Sequence, residues 1–244
     1  MDRDYVARLY DDEYAASYDE KFLDSPLCRS DTEYQLGLLK QFLADGGSWL
    51  DAACGTGYFL RHFPHIERAG IDISPAMIRR AREGNQGVPL LLHDFREPLL
   101  SWESRWDLVT CMWYAYGLVG TMDELQKVIH NLWSWTSPSG TCFVPLADPR
   151  LIAGVNLPYF VPTPWESWGG RVQVTGIMWN YIEEDGRKVH SQMLAPNLEY
   201  MVERFQTYFN QVDIIRFPPV VPGWVGHPAL VASGKRSSAV SGTA

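Results

Sequence analysis

The apolar pair Trp49-Leu50 ends in Asp51, then Ala52, Ala53 and Cys54 lead into Gly55-Thr56-Gly57, after which Tyr58, Phe59 and Leu60 can open a helix. Few folds accommodate that order. A strand must deliver an acid at its carboxyl end, and the backbone must come close to a ligand without a Cβ between them, which Gly55 and Gly57 permit. Ala52 and Ala53 keep the mouth of the turn narrow. Twenty-one residues beyond Asp51, Gly70-Ile71-Asp72-Ile73-Ser74-Pro75 repeats the theme: a strand ends in an acid able to accept from a ribose diol, and Ser-Pro starts a helix.

The ligand follows from what the turn lacks. A dinucleotide site reads Gly-x-Gly-x-x-Gly, but Tyr58, Phe59 and Leu60 stand where the third glycine belongs. The acid ahead of the turn would repel a diphosphate and suits an ammonium. No Gly-Lys-Ser/Thr follows, so a phosphate-binding P-loop is excluded. S-adenosylmethionine, with an α-amino group and a ribose but no phosphate, meets these conditions. Leu50-Asp51-x-x-Cys54-Gly55-Thr56-Gly57 resembles the first motif of the class I S-adenosylmethionine-dependent methyltransferases of small-molecule type. Gly70-Ile71-Asp72-Ile73-Ser74-Pro75-Ala76-Met77-Ile78 resembles their second.

That resemblance implies a Rossmann-like α/β fold with a seven-strand, mostly parallel sheet, its last strand antiparallel, and helices on both faces. The chain pattern agrees: strands near 49–53, 68–73, 88–93, 106–112 and 142–146 alternate with helical stretches, a turn at Gly140-Thr141 precedes the fifth, and 212–217 and 229–233 close the sheet. Five segments are expected. Residues 1–47 form N-terminal lid helices, with Ser30-Asp31-Thr32-Glu33 capping the second, and residues 48–148 form the cofactor-binding core. Residues 149–196 hold an aromatic loop (Trp165, Trp168) and a β-hairpin of 171–184 and 188–195 turning at Asp185-Gly186. Residues 197–234 supply the last helix and closing strands, and 235–244 a disordered tail.

The resemblance also assigns roles. Asp51 orients the methionyl end, Asp72 accepts from the ribose hydroxyls, and Asp94, with Phe95 beside it, accepts from the adenine amine. Tyr18, Ala53, Gly55, Gly57, Ile73, Met77 and Met112 complete the cofactor-binding set. Tyr14 lies with Tyr10, Tyr18 and Phe22 on one helical face; Tyr10 and Phe22 are read as core, Tyr14 as catalytic. The fourth strand runs into Trp113, Tyr114 and Tyr116, an aromatic wall for a sulfonium, worth roughly 0.5–2 kcal/mol per ring. These three join Tyr14 as catalytic candidates. Which of Tyr14, Tyr18 and His190 handles the proton is left open by the sequence; His190, in a hairpin strand, reads as an exposed polar position.

The hairpin before the last helix is similar to that of sugar-amine N-methyltransferases, where such an insertion roofs the acceptor pocket or joins subunits, so a homodimer through it is expected to be possible. One departure stands out. Those enzymes carry a histidine base just past the aromatic-Gly stretch, whereas Leu118-Val119 follows Gly117 here. Methyl transfer to N or O of a small metabolite of secondary metabolism is the expected activity, since orientation alone can drive it when the acceptor is a free amine. The alternative is cyclisation of the cofactor's own aminocarboxypropyl chain to an azetidine-2-carboxylate type product, releasing methylthioadenosine. A third reading is a non-catalytic S-adenosylmethionine-binding protein, against which the complete motif set argues.

A net charge of −8 argues against a nucleic-acid partner. No apolar segment follows the charged Met1-Asp2-Arg3-Asp4, so neither signal peptide nor membrane span is expected, and Cys28, Cys54, Cys111 and Cys142 read as reduced thiols of a cytoplasmic protein. Arg79-Arg80-Ala81-Arg82 reads as a solvated helix face. Pro64 between His62 and His65 speaks against a metal-binding helix face, so no metal is expected.

Overall fold

The computed structural model describes residues 2–26, 28–152, 175–183, 186, 188–219 and 225–238. In chain order its strands are β1 (Ser48–Ala52), β2 (Glu67–Asp72), β3 (Leu90–Leu92), β4 (Trp106–Thr110), β5 (Thr136–Pro145), β6 (Gly176–Ile182), β7 (Val189–Pro196), β8 (Phe209–Arg216) and β9 (Pro228–Lys235). Seven form one sheet in the order β3-β2-β1-β4-β5-β9-β8. The first five are mutually parallel, and β9 runs antiparallel to both β5 and β8. β6 and β7 make a separate antiparallel hairpin.

Successive side chains of a strand point to opposite faces, and β1 feeds both layers of the core. Trp49 packs among Leu60, Leu108 and Phe143, while Leu50 packs with Ile71, Val109 and Leu132 on the other side. All five residues of β1 are buried, as a central parallel strand requires. The helices are α1 (Arg3–Leu9), α2 (Asp12–Tyr18), α3 (Arg29–Phe42), α4 (Tyr58–Arg61), α5 (Pro75–Gly84), α6 (Met122–Trp135), α7 (Pro149–Ile152) and α8 (Leu198–Gln206). A π-helical turn, Asp19–Leu23, follows α2 directly. In α6, Thr121 caps the N-terminus by accepting from the Glu124 N–H. Leu125, Val128, Ile129 and Leu132, at helical spacing, bury its inner face. On α5, Arg79, Arg80 and Arg82 are exposed around buried Ala81, the solvated face expected of that run.

Three local expectations are corrected. Gly140-Thr141 is no turn: β5 starts at Thr136 straight out of α6, and a Cβ on Gly140 would sit 2.8 Å from the Trp106 carbonyl oxygen. That glycine serves a close approach of two strands where their register shifts. α3 begins at Arg29, ahead of Ser30, with no side-chain cap. Lys235 belongs to β9 and not to a loose tail; its ammonium donates to Ser104 Oγ and to the carbonyls of Ser134 and Thr136. Residues 239–244, Trp165, Trp168 and Asp185 lie outside the described residues.

β1 and β4 are neighbours although the chain makes β2 and β3 between them, so the sheet's direction of winding reverses there. A crevice opens at the carboxyl ends of strands on either side of such a point. α1, α2 and the hairpin close over it. Gly117, beneath the hairpin, lies so close to β7 that a Cβ would come 2.7 Å from the Leu194 carbonyl oxygen. Gly117→Ala is therefore expected to push the hairpin off the core at a cost of about 1–3 kcal/mol. Thermal unfolding together with limited proteolysis would detect it, and an unchanged melting temperature would contradict this packing.

Candidate active site

The turn after β1 places backbone where side chains would normally stand. Ala53, Gly55 and Gly57 all take positive φ, at 67°, 54° and 69°. The two glycines do different work. A Cβ on Gly55 would meet nothing within 4 Å, so this residue presents bare backbone to open space. A Cβ on Gly57 would strike Asn85 Nδ2 at 2.5 Å, and the Gly57 carbonyl accepts from that same amide. Gly57 thus lets α4 dock on α5 and is set back from the cavity.

Two carboxylates flank this turn, Asp51 buried and Asp72 half-buried at the cavity wall. Asp72 ends β2; its Oδ2 accepts from the Gly55 N–H at 2.9 Å and its Oδ1 from the Ser74 N–H at 2.8 Å. Burial raises its pKa to about 6, and the backbone donors of Ser74 and Gly55 oppose that rise. Asp51 accepts from the Thr110 hydroxyl at 2.7 Å, and Thr110 accepts from the Trp49 indole N–H at 3.0 Å. Burial pushes Asp51 up to about 7 against the pull of the Thr110 hydrogen bond. Among the described residues no basic side chain pairs with either acid. Asp51 borders a narrow recess with Thr56 and Tyr58, and that recess shares Tyr18, Ala53, Gly55, Met112 and Trp113 as walls with a larger cavity.

The larger cavity holds about 780 Å³, its open mouth included. Asp72, Ile73, Met77 and Phe95 line one side, and Met112, Trp113 and Tyr114 another. Trp113 and Tyr114 are consecutive non-glycine residues at φ 50° and 58°, a backbone costing on the order of 1–3 kcal/mol per residue. The turn is held by Ala115 N–H to the Met112 carbonyl at 3.1 Å and Gly117 N–H to the Tyr114 carbonyl at 2.8 Å. The strain turns both rings to the crevice. The Trp113 indole N–H is buried with no hydrogen-bond partner among the described residues.

The roof comes from both ends of the chain. Val6, Tyr10 and Tyr18 of the N-terminal segment face the cavity, as does Met193 of β7. The two pieces are tied together. The Tyr5 hydroxyl donates to the Val189 carbonyl, Lys188 bonds the Leu9 carbonyl and Asp11, and Lys21 pairs with Glu183. At the other end Arg3 pairs with Asp94 and Glu97.

Residues 50–140 match the family model described as a methyltransferase domain. A solved 1,6-didemethyltoxoflavin-N1-methyltransferase of Burkholderia thailandensis superposes with a TM-score of 0.60 at 14% identity, over 96% of this chain and 90% of that one. An amino pentose methyltransferase from Micromonospora echinaspora does so with a TM-score of 0.55 at 20% identity, over 90% of this chain and 95% of that one. The chain has the class I methyltransferase fold. Among curated relatives, the dTDP-4-amino-2,3,4,6-tetradeoxy-D-glucose N,N-dimethyltransferase of Saccharopolyspora spinosa is 32% identical over 113 residues, 44% of this chain and 43% of the relative. The match thus spans less than half the length of that relative.

Within this methyltransferase fold, the residues expected from sequence divide. Tyr18, Ala53, Gly55, Asp72, Ile73, Met77, Phe95, Met112, Trp113 and Tyr114 line the main cavity, and Asp51 borders its recess. Four others lie elsewhere. Gly57 is set back, as described. Tyr116 is buried in the core, its hydroxyl accepting from the Ala147 N–H at 2.7 Å. Asp94 is gripped by the Arg96 guanidinium through Nε and Nη2 and by Arg3, so its oxygens serve basic side chains; burial raises its pKa, but Arg96 outweighs that and the net shift is down. Tyr14 lies behind the wall, its hydroxyl donating to Glu183 at 2.5 Å.

Two residues that sequence read as core and as exposed belong near the site. Tyr10, read as core, faces the cavity, and His190, read as exposed, is buried against Tyr14, Tyr10 and Glu183. Phe22 packs on Tyr14 and Tyr18 as expected of a core position. Arg96 and His93 line the cavity without having been singled out. An arginine two residues after a strand-end acid was the available signal for Arg96. Among the described residues no cluster of His, Cys, Asp and Glu could hold a metal ion, and no helix is long and apolar enough to cross a membrane.

Proposed function

We propose that this chain transfers a methyl group from S-adenosylmethionine to N or O of a small, mostly apolar or aromatic metabolite. The observation that carries the reading is the pairing of Asp72 with the bare Gly55 backbone in a cavity that also meets Asp51 and the Trp113–Tyr114 wall. The residues fit the ligand. Asp72 has lone pairs left for a ribose diol, and Asp51 offers a buried carboxylate to an ammonium. Ile73, Met77 and Phe95 supply an apolar slot of the kind a purine needs. The ligand supplies an activated methyl on a sulfonium; the chain's residues hold it, orient it and exclude water.

The acceptor space lies between Val6 and Tyr10, the aromatic wall and Met193. Relatives that methylate amines of dTDP-sugars support an amine in secondary metabolism, although the sequence match to them lies over less than half of the chain. Incubating the pure protein with S-adenosylmethionine alone is expected to give negligible turnover. Adding a panel of small amines, phenols and dTDP-amino sugars is expected to yield S-adenosylhomocysteine with an accepting member. Release of methylthioadenosine well above background, with no second substrate, would overturn methyl transfer.

A further inference from the structure

We propose that His190 and Glu183 of the hairpin form a proton-accepting pair that reaches the reacting centre through the Tyr10 hydroxyl. The proposal rests on the methyl-transfer reading and deepens it. Tyr10 lies on the cavity together with Trp113 and Tyr114, and its hydroxyl stands 3.5 Å from His190 Nδ1. On the far edge of the imidazole, Nε2 is 3.1 Å from Glu183 Oε1 and 3.0 Å from the Tyr14 hydroxyl.

The hydrogen-bond partners leave one consistent proton arrangement. Glu183 Oε1 accepts from the Tyr14 hydroxyl at 2.5 Å, and its Oε2 accepts from Lys21. Tyr14 has thereby spent its proton, so the imidazole proton sits on Nε2 and is donated to Glu183. Nδ1 keeps its lone pair and turns it to Tyr10. Burial and the two nearby lysines favour a neutral resting histidine, and Glu183 alone favours the charged form. Tyr10 and Tyr14 come from the N-terminal segment, Tyr181 and Glu183 from the hairpin, and Lys21 and Lys188 stand near. Burial lowers the His190 pKa, while Glu183 works against that fall and would steady the imidazolium once formed.

The step balances. A bond forms between the acceptor atom and the methyl carbon while the carbon–sulfur bond breaks, its electron pair remaining on sulfur. The acceptor's surplus proton passes to the Tyr10 oxygen, and the Tyr10 hydroxyl proton passes to His190 Nδ1. The positive charge lost from sulfur ends on an imidazolium beside Glu183. This arrangement offers a base at a place in the chain far from the position after Gly117 that sequence pointed to.

Two ligands isolate the claim: S-adenosylhomocysteine, and sinefungin, whose ammonium replaces the sulfonium methyl at the reacting centre. Calorimetry on Tyr10→Phe is expected to show sinefungin weakened about tenfold or more, the loss of one charge-assisted hydrogen bond, with S-adenosylhomocysteine within about twofold of wild type. Nitrogen NMR of wild-type His190 at neutral pH is expected to place its proton on Nε2, and sinefungin, but not S-adenosylhomocysteine, to shift the Nδ1 resonance. Equal weakening of the two ligands, no weakening of either, or a proton on Nδ1 would overturn the relay. Failure of the wild type to bind S-adenosylhomocysteine would instead overturn the cofactor assignment.

Discussion

Asp72→Ala is expected to weaken S-adenosylmethionine binding by two orders of magnitude or more. The Asp72 carboxylate is half-buried at the cavity wall, and its oxygens are already oriented by the Gly55 and Ser74 N–H groups. Such a preset acceptor gives a ribose diol two charge-assisted bonds of roughly 1.5–3 kcal/mol each. Alanine removes both and strands two backbone donors, so the glycine turn also loosens. Asp72→Asn keeps the shape and one acceptor oxygen, and its loss should fall between wild type and alanine. Calorimetry reads this directly. Unchanged affinity in the alanine variant would mean that the nucleoside lies elsewhere.

Asp51 is expected to trade stability against binding. Its folded pKa is raised to about 7 by burial, above an unfolded value of about 3.9. The folded chain therefore holds this proton more tightly, and its stability without ligand falls as pH rises from about 4 to about 7. Above that range the full penalty of a buried, unpaired carboxylate remains. Asp51→Asn removes the penalty and should stabilise the ligand-free protein at pH 8 by on the order of 2 kcal/mol. Affinity should move the other way. An ammonium needs the carboxylate ionised, so binding should weaken as pH falls through 7, and again near 6 where Asp72 titrates. At pH 8 the asparagine variant should bind S-adenosylmethionine at least about tenfold more weakly. Thermal unfolding and calorimetry between pH 5.5 and 8 measure both halves. A flat affinity profile in the wild type would remove Asp51 from the ligand's surroundings.

Much of the cofactor half was legible because its constraints are local. Asp51, Gly55 and Asp72 sit at strand ends that the alternation of elements locates, and small residues can serve there for few other reasons. The roles of Gly55 and Gly57 could not be separated, since one faces open space and the other faces Asn85, a contact made by a helix further along the chain. The ion pairs of Asp94 were hidden for a related reason. Its spacing suits an adenine, but Arg3 and Arg96 reach it from the N-terminus and from its own turn. His190 was misread because polarity in a hairpin strand suggests solvent, while the burying partners, Tyr10 and Tyr14, lie 180 and 176 residues earlier. Positive φ at Trp113 and Tyr114 left no mark either, since neither residue type favours that conformation.

The joining of the first helices to the hairpin also dates the site within the birth of the molecule. Tyr5 meets Val189 across 184 residues, and Tyr14 meets Glu183 across 169. During synthesis the glycine turn and both acids leave the ribosome long before the hairpin does. Contacts of such separation close late, after shorter loops have formed. The growing chain therefore carries the floor of its pocket well before it has a ceiling.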